Sequence, residues 1–159
     1  MNLSKSEKIT GILLSVLLLL VALSSTLFFL GKLKISVVDW ISFNACSPTS
    51  FLYLCFFIVF LINKKAAFLV VTSLPIYFLG TMSMFVLPWN GNYLIAHLGH
   101  IIMTLNILWA FYVVIKHKEY KAMAKGLFIG ILIFVPFIAY VQTYNKVHEE
   151  KIAEVLQQQ

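Results

Sequence analysis

The stretch ITGILLSVLLLLVALSSTLFFL, Ile9 to Leu30, decides the fold. It carries no charge over 22 residues, and at 1.5 Å per residue a helix of that length reaches about 33 Å, enough to cross the hydrocarbon of a bilayer. Lys5 and Lys8 precede it and Lys32 and Lys34 follow it. The rival reading is a cleaved secretory signal, whose apolar region is usually about 7–15 residues long and ends at a small-residue site. This run is longer, and Ser24-Ser25-Thr26 is a poor site, so the sequence predicts a retained helix.

Working outward, four more apolar runs follow, at 44–63, 66–87, 93–115 and 122–143. Pro48 falls in the first turn of the second run, where a missing N–H costs little. Pro75 and Pro136 lie inside the third and fifth, and each predicts a kink. Between the first two runs, residues 31–43 read as a loop or a short interfacial helix, with Trp40 at headgroup level. Pro88-Trp89-Asn90-Gly91-Asn92 is an uncharged turn. A polar tail, 144–159, carries Ile152, Val155 and Leu156 at helical spacing. The sequence therefore predicts one domain, 1–159: an all-α, polytopic membrane bundle of about five transmembrane helices.

Composition agrees. Hydrophobic residues make up 61% of the chain and charged ones 11%. Soluble domains run at about 45–50% and 25%, and a water-soluble core of this size could not hide so much apolar surface. The net charge is +6, and every one of the twelve cations is Lys. These lysines flank the apolar runs instead of forming a concentrated basic footprint, which excludes nucleic acid as the expected partner. The expected partners are the lipid bilayer and other membrane proteins. With the N-terminus in the cytoplasm, inner segments hold Lys5, Lys8, Lys64, Lys65, Lys116, Lys118, Lys121 and Lys125, and outer ones Lys32, Lys34, Lys146 and Lys151. That bias predicts a multi-pass protein of the cell membrane, N-terminus inside.

Lipid offers polar side chains no hydrogen-bond partner, so those within spans turn toward the bundle. The expected stripes are Cys46, Ser50 and Tyr53; Ser73, Tyr77 and Thr81 beside Gly80; and Tyr93, His97, His100 and Thr104. Gly11 with Ser15, and Gly126 with Gly130, are spaced for close helix contact. Packing seams account for most of these residues. His97 and His100 are the ionisable exceptions. They read as neutral imidazoles bonded to neighbouring helices, as a catalytic or proton-handling pair, or as metal or haem ligands. HxxH supplies too few ligands for zinc and no span holds an acidic residue, so no metal or cofactor is expected. Cys46 begins the second span at the same end of the bundle, level with Asp39, Trp40, Trp89, Asn90 and Asn92. A Cys beside a His can supply a thiolate and its base, while a buried Cys is ordinarily an inert small hydrophobe. Cys46 and Cys55 lie about 13 Å apart along one helix, too far for a disulfide.

The segments FNACSPTSFLYL (43–54), YFLGTMSMFVLPW (77–89) and HLGHIIMTLNILW (97–109) resemble the core of the YwaF-like family of bacterial integral membrane proteins, itself similar to vertebrate transmembrane acyltransferases. The resemblance implies Cys46 as acyl-accepting nucleophile and His100 or His97 as its base. The family tends to place Pro before the Cys and Gly after the His; here Pro48 follows Cys46, and Leu98 and Ile101 follow the histidines. Three function classes stand open: an accessory or structural membrane protein; a membrane enzyme acting on lipid or acyl groups at the outer leaflet through His97, His100 and Cys46; and a transporter or channel subunit lined by the same stripe.

Overall fold

The computed structural model describes residues 1–91 and 93–157. Asn92 and the side chain of Leu156 lie outside the described residues. Among the described residues all regular structure is helical. The helices are α1 (Lys5–Thr26), α2 (Val37–Phe43), α3 (Cys46–Asn63), α4 (Ala67–Val70), α5 (Ser73–Ile76), α6 (Ser83–Val86), α7 (Tyr93–Lys116), α8 (Tyr120–Val147) and α9 (Glu149–Gln157). Five helical stretches are long and apolar enough to cross a membrane: Lys5–Lys32, Cys46–Asn63, Ala67–Val86, Tyr93–Lys116 and Tyr120–Val147. The chain is an all-α bundle with a multi-pass character.

Ser4 starts α1 with a reciprocal cap: Glu7 N donates to Ser4 Oγ, and Ser4 N to Glu7 Oε2 at 2.7 Å. Two free backbone donors are thereby satisfied outside the apolar run. α1 then widens into a π-type turn at Leu27–Lys32. The reversals after α3 and α7 each place a lysine in the left-handed region, Lys64 and Lys118, both at φ 57°. Glycine is the common choice there; lysine keeps a charge at each turn.

The third span is broken. Pro75 has no N–H to give the carbonyl of Val71 four residues earlier, and the helix lapses at Val71 and Thr72. A wide turn follows at Tyr77–Thr81, closed by Met82 N donating to Tyr77 O at 2.9 Å. These breaks change which face looks inward, so Tyr77 is half exposed, not buried as the polar stripe predicts. Pro136, by contrast, sits within an uninterrupted α8. There the regular helix absorbs the missing bond that splits span three.

α1 packs between α3 and α7, and α8 packs on α4, α5 and α2. The core gathers Leu18, Tyr53, Phe57, Phe60, Leu69, Val70, Met103, Trp109 and Val113. Both small-residue pairs mark close approaches. A methyl on Gly11 would overlap the Trp109 indole, at 2.3 Å, and one on Gly130 would lie 2.2 Å from Val71 O. Gly126 meets Ala67 O in the same way, at 2.4 Å. The carbonyl that Pro75 frees therefore abuts a glycine, where a Cα–H can approach it.

Gly130→Ala should destabilise the bundle by about 1–3 kcal/mol through overpacking. Gly31→Ala, where a methyl meets nothing within 4 Å, should not. Thermal denaturation in detergent separates the two, and equal midpoints would mean that α8 does not seat against span three.

Candidate functional site

Two polar clusters occupy the end of the bundle that holds the start of α3 and α7. The first surrounds His97 and His100, on the opening turns of α7. Both are buried, His97 at 1% and His100 at 6% exposure. His97 Nε2 lies 3.1 Å from Pro88 O, and its ring stacks on Trp89 at 3.9 Å with planes 3° apart. A carbonyl can only accept, so Nε2 is the donor in this bond. The His100 ring stands across that of His97, centroids 6.2 Å apart. Neither Nδ1 has a hydrogen-bond partner. One turn further, Thr104 Oγ1 donates to His100 O and meets Thr81 Oγ1 at 2.8 Å, tying α7 to span three.

Cys46 is engaged elsewhere. Its thiol donates to Asn44 Oδ1 at 2.9 Å, and Asn44 Nδ2 reaches Ser25 Oγ at 2.8 Å and Ser47 Oγ at 2.9 Å. The network joins the C-terminal part of α1 to the start of α3. His97 and His100 are thus brought together, and the hydrogen bonds of Cys46 go to neither.

The second cluster is centred on Asp39 in α2, which is 2% exposed. Ser36 Oγ and Lys151 Nζ both reach Oδ2, the latter at 2.7 Å, and Tyr144 Oη donates to Oδ1 at 3.1 Å. Asn145 Nδ2 adds a bond to Ser42 O at 3.1 Å. Burial pushes the Asp39 carboxyl up, but the bonds from Lys151, Ser36 and Tyr144 outweigh it, and the net shift is downward. The same bond raises Lys151. His148 completes the group by stacking on Tyr144 at 4.1 Å.

At the opposite end Glu7, buried, forms an ion pair with Lys116 at 2.7 Å and contacts His117 at 3.2 Å. Between the ends, Asn106 is wholly buried and donates to Leu14 O at 3.1 Å and Ile102 O at 2.9 Å, while Tyr53 Oη reaches the Asn106 carbonyl at 3.4 Å. Sequence reasoning missed Asn106 and Asn44. The available signal was an amide inside or beside an uncharged apolar run. Cavities of about 250 and 230 Å³ open on the surface, and neither is lined by Cys46, His97 or His100. Among the described residues no group of three His, Cys, Asp or Glu side chains is placed to hold a metal ion.

No family model matches the chain, and no match was found among curated proteins or among solved structures.

The Asp39 clip has a defined pH window. A lowered carboxyl contributes stability that is full above its unfolded value, about 3.9, and is lost as pH falls through the folded value. A raised lysine contributes fully below its unfolded value, about 10.4, and loses that contribution as pH rises through the folded one. Hydrogen exchange should show α9 protected across the neutral range and released below about pH 4, and Asp39→Asn should release it at pH 7. Equal protection of α9 in Asp39→Asn would remove the clip.

Proposed function

We propose that this chain is a small accessory or structural protein of the cell membrane, with its N-terminus in the cytoplasm, acting through contact with lipid and other membrane proteins. The observation that carries this reading is the use to which its reactive side chains are put. The proton of His97 is given to the Pro88 carbonyl and its face to Trp89, so the imidazole fastens the 88–89 turn onto α7. Cys46 belongs to an amide and hydroxyl network that fastens α1 to α3. The two cavities described above are lined by none of the three candidate residues. The excess of lysine at the end that holds Lys64 and Lys116 supports the orientation.

A second reading rests on the unpartnered Nδ1 atoms of His97 and His100. A buried imidazole nitrogen without a partner is a candidate base, and with the resemblance of 43–54 and 97–109 to the YwaF-like family it keeps a lipid or acyl enzyme in view, with Cys46 as nucleophile. The third class, a transporter or channel subunit, draws on the same stripe and gains no separate support.

Purified protein in liposomes, given an acyl thioester, distinguishes the first two. The accessory reading expects no acyl adduct on Cys46 by mass spectrometry. An adduct on Cys46 that disappears in His100→Ala, with the protein still folded, would replace it with the enzyme.

A further inference from the structure

The 250 Å³ cavity lies at the end of the bundle opposite the histidines, between the beginning of α1 and the end of α3. Asn2, Leu3, Lys8, Phe60, Leu61 and Lys64 line it. Its chemistry is graded. Lys8 and Lys64 are exposed and stand where the apolar runs of α1 and α3 begin and end. Phe60, one turn inward, is wholly buried, and Leu3 and Leu61 complete an apolar wall. We propose that this pocket binds the headgroup of an anionic phospholipid, its phosphate between Lys8 and Lys64 and its glycerol and first methylenes against Leu61 and Leu3, which Phe60 backs from within.

Charge argues for the occupant. The carboxylate nearest in sequence to Lys8 is Glu7, and it is occupied by Lys116 and His117. Among the described residues neither Lys8 nor Lys64 forms an ion pair. Two uncompensated ammonium groups at the membrane boundary attract an anion, and basic pockets between spans suit acidic lipid heads. Lys64 is also held in place, because its φ of 57° caps α3 and its carbonyl accepts from the Met1 nitrogen at 2.7 Å. The apolar wall selects a lipid over free phosphate. Inorganic phosphate would meet the same lysines and leave the partly exposed Leu3 and Leu61 uncovered, whereas a phospholipid covers both parts.

The test uses the full chain in a neutral detergent, with bound lipid counted by native mass spectrometry. Phosphatidylglycerol should be retained about tenfold better than phosphatidylcholine of the same acyl chains. The double variant Lys8→Gln/Lys64→Gln should lose that preference. Lys32→Gln/Lys34→Gln, which removes the same charge at the other end, should keep it. Should the first double variant not fold, Lys8→Gln alone, at an exposed side chain, should show intermediate retention. Equal retention of the two lipids, an undiminished preference in the folded Lys8 variants, or full displacement of phosphatidylglycerol by millimolar inorganic phosphate would overturn the proposal.

Discussion

The Val71 carbonyl has no helical donor because residue 75 is proline, and much of the bundle is arranged around that loss. In water a freed carbonyl is solvated. In hydrocarbon it costs several kcal/mol unless protein covers it. Here α8 covers it, and can come close enough only because Gly130 has no side chain in the way. The seating of α8 on span three in turn brings Tyr144 and Asn145 beside α2 and sets up the Asp39 clip. The same break redirects the rest of span three toward α7, where Thr81 meets Thr104 and Pro88 presents its carbonyl to His97. One missing N–H thus conditions both polar clusters at that end.

The two ends solve different problems. At one, Glu7 is buried and gathers Lys116 and His117 across α1 and α7, which closes the helices that begin and end there. At the other, Asp39 gathers Lys151 from beyond the last span. Each buried carboxylate is matched by a cation and further donors, the condition under which a buried charge is tolerated. Between them the interior has no charge, and amides and hydroxyls make the cross-helix bonds. Asn106 does the most, since its amide fixes α7 against a carbonyl of α1 deep within the bundle.

The helical bundle was legible in the sequence because its signal is a bulk property: uncharged runs of spanning length, punctuated by lysine. The glycine pairs were legible for a related reason, since spacing of four puts both on one face whatever lies opposite. What the sequence concealed is pairing at a distance. Asp39 reads as an isolated loop acid and Lys151 as a tail cation, and only the third dimension brings them to 2.7 Å. Pro75 and Pro136 look equivalent in the sequence, yet one splits its helix and the other does not. Tyr77 joined its expected stripe because regular helical spacing was carried through a segment that is not regularly helical.

The histidines show why residue type alone misleads inside a membrane. Depth makes any imidazole conspicuous, because leaving a polar ring unpaired in lipid is costly. The same cost makes imidazole useful as a fastener. His97 offers a flat face to Trp89 and an N–H to the Pro88 carbonyl, which pins an uncharged turn to the start of α7. Aspartate could do neither, and lysine could donate to the carbonyl but has no flat face. What a fastening role leaves unexplained is the Nδ1 of each ring, which has no hydrogen-bond partner although both side chains are buried.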